Sequence, residues 1–147
     1  MIKKLLVAVD GSEHSMKAVD YAASISAAMK AKLSILFVLK THELPKGMDA
    51  YAKFEHIPGG NEAVLKRISG DLVEDAKDRA AKQGATDIDG KVVDGPVART
   101  IIAEAKKQNA DVIVIGSRGM GNIEATLRGG VSHRVELLAK CPVFTVR

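Results

Sequence analysis

Hydrophobic positions along this 147-residue chain alternate between two periods. Leu5 to Val9, Leu33 to Leu39, Ile88 to Val93, Val112 to Ile115 and Val143 to Val146 are short runs rich in β-branched residues, the kind that a parallel sheet buries on both faces. Between them the spacing turns helical. Met16, Val19, Ala22, Ala23, Ile25 and Met29 recur on one helical face after Ser12, whose hydroxyl is placed to cap a first helix. A second helix is expected from about Asn61 to Gln83, closing at Gly84. A third opens at Asp94-Gly95-Pro96, where the missing proline N–H costs nothing, and shows Val97, Ile101, Ile102 and Ala105 on one face. A fourth runs from about Gly130 to Ala139. Five strands and four helices in strict alternation predict an α/β fold: one domain over residues 1–147 around a doubly wound parallel sheet. Lys40 to Gly60 breaks the rhythm, with Pro45, Gly47, Pro58, Gly59 and Gly60 and no sustained period, and reads either as a lid or as a plain surface connection. Its His42, Tyr51, Phe54 and His56 have no spacing that specifies ligands, so no metal is assigned to it.

The chemistry concentrates after the fourth apolar run. Val112-Ile113-Val114-Ile115 delivers Gly116-Ser117-Arg118-Gly119-Met120-Gly121-Asn122, and a polar connector leads on to Gly129-Gly130-Val131-Ser132-His133 at the start of the last helical pattern. Strand, glycine loop and helix together make an anion cradle: glycines let backbone N–H groups approach without Cβ interference, and the unpaired N–H groups of the helix start point at the same place. The expected guest is a phosphate chain. A dinucleotide fingerprint would have to follow the first strand, where the turn is Asp10-Gly11-Ser12 instead, and a Walker loop would need Gly-Lys-Ser/Thr, which does not occur. In open α/β sheets ligands sit beyond the carboxyl ends of the strands where the strand order reverses. Arg118 is suited to a bidentate contact with phosphate, and Asp10 to an indirect contact with a magnesium ion that accompanies such a phosphate chain; the plain alternatives are a solvent-facing charge and a turn cap. Ser132 and His133 are neighbours on one helix, where adjacent side chains diverge, so they form no nucleophile–base pair, and no residue stands out as a catalytic base.

Composition narrows the partners. A net charge of +4 admits an anionic ligand, whereas 3% aromatics and no Trp argue against stacking platforms for nucleic acid. No apolar run is long enough to span a bilayer, and Met1-Ile2-Lys3-Lys4-Leu5 leads into a strand without a cleavage pattern, which makes a cytoplasmic location the expectation. Cys141 is the one cysteine, so no internal disulfide forms; beside Pro142 at the mouth of an apolar strand it reads as a small core residue. Pro142-Val143-Phe144-Thr145-Val146, as an apolar edge strand with no internal charge, invites pairing with a second copy of the chain.

Gly116, two residues, Gly119, nine residues and Gly129 resembles the Gly-x2-Gly-x9-Gly-Ser/Thr signature of the nucleotide-binding branch of the universal stress protein family. Leu5-Leu6-Val7-Ala8-Val9-Asp10-Gly11-Ser12, Ala110 to Gly116 and Cys141 to Val146 resemble that family's first, fourth and last strands, so the likeness runs along nearly the whole chain. It implies strand order 3-2-1-4-5 in an adenine nucleotide alpha hydrolase-like fold, which puts the switch point between strands one and four, where Asp10 and Gly116 end. By resemblance, Ala8 and Asp10 lie beside the adenine and ribose, the Val38 backbone reads the adenine edge, and Gly116, Ser117, Arg118, Gly119, Met120, Gly121 and Asn122 wrap the ribose and phosphates. Gly129, Gly130, Val131 and Ser132 grip the phosphate tail. The implied cofactor is ATP with Mg2+, in a stress-response regulator or adaptor that pairs as a homodimer through its last strand and is no enzyme. The alternatives are a dimeric interaction module with an empty or AMP-type site, or a slow ATPase. One position departs from the signature: Gly130 stands where Ser or Thr is usual, so one hydroxyl donor to phosphate is missing while its backbone N–H remains.

Overall fold

The computed structural model of the protein describes residues 1–40, 60–118 and 130–147. Its elements follow the alternation in the sequence: β1 (Lys4–Val9), α1 (Glu13–Met29), β2 (Lys32–Leu39), α2 (Gly60–Lys82), β3 (Ile88–Asp94), α3 (Val97–Lys107), β4 (Val112–Gly116), α4 (Gly130–Leu138) and β5 (Val143–Val146). All strand pairs are parallel, in the order β3-β2-β1-β4-β5. Right-handed crossovers then put α1 and α2 on one face and α3 and α4 on the other, because the chain winds outward from β1 first in one direction and then in the other. Two cores result. Leu5, Val7 and Val9 of β1 pack with Ala18, Val19, Ala22 and Ala23 of α1 and Val73, Ala76 and Ala80 of α2. Leu6 and Ala8, the alternate residues of the same strand, pack with Ala98, Ile101 and Ala105 of α3 and Val135 of α4.

Burial on both faces holds for the inner strands only. Every residue of β4 is buried, whereas β3 and β5, at the two edges, mix partly buried and exposed positions, with Val146 the one buried residue of the two strands. Each edge strand has a neighbour on one side alone, and the flanking helices, being centred on the inner strands, do not cover it fully. At the β3 edge the exposed positions are charged: Lys32 pairs with Asp89 at 2.7 Å, and Lys91 with Glu104 of α3. The helices also depart in detail from the apolar spacing. Met29, expected inward, is 40% exposed, because α1 ends there with Lys30 in the left-handed conformation, while the small Ser15, Ala18 and Ser26 face the core. Pro96 is the residue that caps α3 rather than part of its first turn, and its carbonyl accepts the first helical bond, from the Thr100 N–H.

Candidate functional site

The site begins where β1 and β4 stop pairing. Their ladder runs from Leu5–Val112 to Ala8–Ile115; beyond it β1 turns through Asp10, Gly11 and Ser12 into α1, while Gly116 pairs outward with Val146 of β5. The turn is built from its own side chains. The Ser12 N–H donates to Asp10 Oδ1 at 2.9 Å, the Asp10 N–H to Ser15 Oγ at 3.3 Å, and the Ser15 N–H to Ser12 Oγ at 3.2 Å, which makes Ser12 the helix cap its position predicted. Asp10 therefore carries the turn-cap role weighed for it. That role leaves a contact to a ligand open, since a carboxylate can accept several bonds.

Glycine is required at 116 for packing. A Cβ there would come within 2.8 Å of the His14 carbonyl carbon and 2.9 Å of the Ser15 nitrogen, both backbone atoms that cannot swing aside. The first turn of α1 thus lies directly on the end of β4. This approach lets side chains of α1 reach residues about a hundred positions away: Ser12 Oγ donates to the Arg118 carbonyl at 3.3 Å, and His14 Nδ1 lies 3.1 Å from Ser117 Oγ. From the other side Ser132, in the first turn of α4 and buried, donates from Oγ to the Ser117 carbonyl at 3.4 Å. The Ser117 N–H donates to the Val146 carbonyl at 2.7 Å.

The expected site residues sort by what they can offer. Ala8 and Val38 are buried in the second core, and Val131 packs against it, so contacts from these three to any ligand would come from the main chain. Asp10, Gly116, Ser117, the Arg118 carbonyl and Ser132 meet at the gap between β1 and β4, with Arg118 exposed. Gly130 opens α4, and a Cβ on it meets no described atom within 4 Å. First-turn N–H groups of a helix have no acceptor within the helix, and those of α4 are the anion donors expected there. Gly119, Met120, Gly121, Asn122 and Gly129, and residues 41–59 of the possible lid, lie outside the described residues.

His14 is the contact that reading the sequence missed. No local spacing links it to Ser117; the one signal was its place in the first turn of a helix that starts at the switch point. Among the described residues no carboxylate is bonded to its ring. His133, as expected, is exposed on α4 and apart from this network. Among the described residues no group of His, Cys, Asp or Glu could hold a metal ion, and no helix is long and apolar enough to cross a membrane. Cys141 is partly buried, and burial pushes its thiol pKa up, as suits a small packing residue.

Comparison with known proteins adds three kinds of likeness. The family model described as the Universal stress protein family matches residues 1–147. The universal stress protein YxiE of Bacillus subtilis is 34% identical, with 100% of both chains covered. Among solved structures, a universal stress protein in complex with cAMP is 30% identical, with a TM-score of 0.71 and 99% of this chain and 97% of that one covered. The universal stress protein UspA from Lactobacillus plantarum shares the fold at a TM-score of 0.80 and 22% identity, covering 99% of this chain and 98% of its own.

Proposed function

Because the chain belongs to the universal stress protein family, we propose that it binds an adenine nucleotide, ATP with Mg2+, between the C-terminal ends of β1 and β4 and acts as a cytoplasmic stress-response regulator or adaptor. One observation carries the reading: the strands part after the Ala8–Ile115 pair, and a capped turn, the head of a glycine-rich segment and a helix N-terminus meet at that gap. The donors suit phosphate, being backbone N–H groups and the Arg118 guanidinium, whereas the Asp10 carboxylate suits a ribose hydroxyl or a water on Mg2+. Bound ATP would supply charge and bulk that order the segments around it. The sequence offers no residue that stands out as a base to orient a water, and on that ground we read the protein as a holder of nucleotide rather than an enzyme.

A second reading, an AMP-type ligand, is favoured by Gly130, which lacks the hydroxyl usual at that position, and by the cAMP bound to a relative of 30% identity. Denaturing the purified protein, identifying any released nucleotide by mass, and titrating ATP, AMP and cAMP by calorimetry separates the two. ATP binding tightest supports the first reading, and AMP or cAMP tightest the second. No binding of any of them overturns both. Turnover of ATP that disappears in Asp10→Ala and Arg118→Ala would instead make the protein a slow ATPase.

The assembly proposed is a homodimer through β5. Phe144 is 43% exposed beside Tyr21, their ring centroids 5.9 Å apart, and Leu137 and Leu138 of α4 are exposed on the other side of the same edge. Pro142 and Val146 turn their carbonyls to β4, so by alternation Val143 and Thr145 turn their N–H groups outward. Proline at either of these two should yield monomers in light scattering while the fold persists. A wild-type monomer at high micromolar concentration would overturn the dimer.

A further inference from the structure

We infer that His14 is a positioning residue of the nucleotide crevice, fixing Ser117 at the point where the glycine-rich sequence leaves β4; this rests on the nucleotide reading above. Each polar group of Ser117 is engaged from a different element: its N–H by the Val146 carbonyl of β5, its carbonyl by Ser132 Oγ of α4, and its hydroxyl by His14 Nδ1 of α1. Arg118, the next residue, has its carbonyl held by Ser12 Oγ. The backbone at the mouth of the crevice is thus set before a ligand arrives, and a preset site loses less conformational freedom on binding. Among the described residues the His14 contact alone reaches the hydroxyl, and it sets which way that group turns. Whether the imidazole accepts the Ser117 proton or donates its own, the bond selects one hydroxyl rotamer and so one donor–acceptor face toward the ligand. Gly116 makes this possible, since a Cβ there would also meet the His14 Cβ at 3.0 Å and push the helix start away.

The experiment is calorimetric titration of ATP with Mg2+ into the full chain and four variants. Asn places a polar atom near the position of Nδ1, whereas Leu fills similar space without one. His14→Leu should weaken binding by about two- to tenfold, the range of one neutral hydrogen bond, and His14→Asn should restore most of it. Ser117→Ala should lose at least as much, and adding His14→Leu to Ser117→Ala should cost nothing further, because the partner is already gone. Wild-type affinity in His14→Leu, an Asn variant no better than Leu, or losses that simply add would overturn the inference while leaving nucleotide binding intact. A wild type that binds no nucleotide overturns the functional reading, and this inference falls with it.

Discussion

The two ends of β1 and β4 are built on opposite plans. At their N-terminal ends the Asp111 carboxylate accepts the Lys3 and Lys4 N–H groups at 2.8 and 2.9 Å, the Asp111 N–H returns a bond to the Lys4 carbonyl, and Lys4 Nζ reaches the Gln108 carbonyl. Main-chain groups there are satisfied by fixed partners, and the strands are closed against each other. At the C-terminal ends the same strands diverge, and the bonds run through the short side chains of Ser12, His14, Ser15 and Ser132. Hydroxyls can donate and accept at once, as Ser12 Oγ and Ser15 Oγ do here, whereas a carboxylate only accepts. One end of the sheet is closed by these bonds, and the other is the end at which a ligand is proposed to enter.

That contrast predicts different consequences for substitutions at the two ends. Gly116→Val should have the largest effect, since its Cβ must displace the backbone of α1: overpacking of this kind costs about 1–3 kcal/mol, and with α1 moved nucleotide binding should be lost as well. Urea unfolding and calorimetry on the same variant read both. A variant of wild-type stability would mean that α1 does not rest on β4.

At the closed end, Asp111→Ala should lower Tm and leave nucleotide affinity unchanged. The two backbone N–H groups hold the Asp111 carboxyl below the ordinary aspartate pKa of 3.8, and the Arg79 guanidinium does the same to Asp20, which it grips through two bonds of 2.6 Å between α1 and α2. A depressed carboxylate contributes stability that is present above the unfolded value and is lost as pH falls through the folded one. Acid unfolding should therefore set in below about pH 4 and shift upward in Asp111→Ala. An acid midpoint that stays put would remove Asp111 from the account.

How much of this was legible in the chain follows the same division. The inner strands and their order of appearance could be read because β1 and β4 are unbroken apolar runs, and Ser12 was readable as a cap because capping is local. Edge strands were legible in place but not in burial, since Lys91 of β3 and Glu104 of α3 meet only through the tertiary fold; Glu104, a charged residue on the buried side of α3, breaks the apolar face that Val97, Ile101 and Ala105 announce. The proposed site rests on the glycine spacing and the switch point, of which the strand order is observed. The His14–Ser117 contact joins residues 103 positions apart and has no periodic trace.

A smaller effect tests the departure at Gly130. The space beyond its Cα meets no described atom within 4 Å, so Gly130→Ser should enter without strain and tighten ATP by about two- to tenfold through one added hydroxyl. Weaker binding would place the phosphates elsewhere than at the start of α4.

Entry of the ligand at the diverging ends of β1 and β4 is tested residue by residue by amide NMR of the labelled full chain titrated with ATP and Mg2+. The amides of Asp10, Ser12, Ser117, Arg118 and Ser132 should shift with a common saturation curve, while those of Lys3, Lys4 and Asp111 stay still. Shifts confined to the Asp111 end, or none at either end at saturating nucleotide, would contradict it.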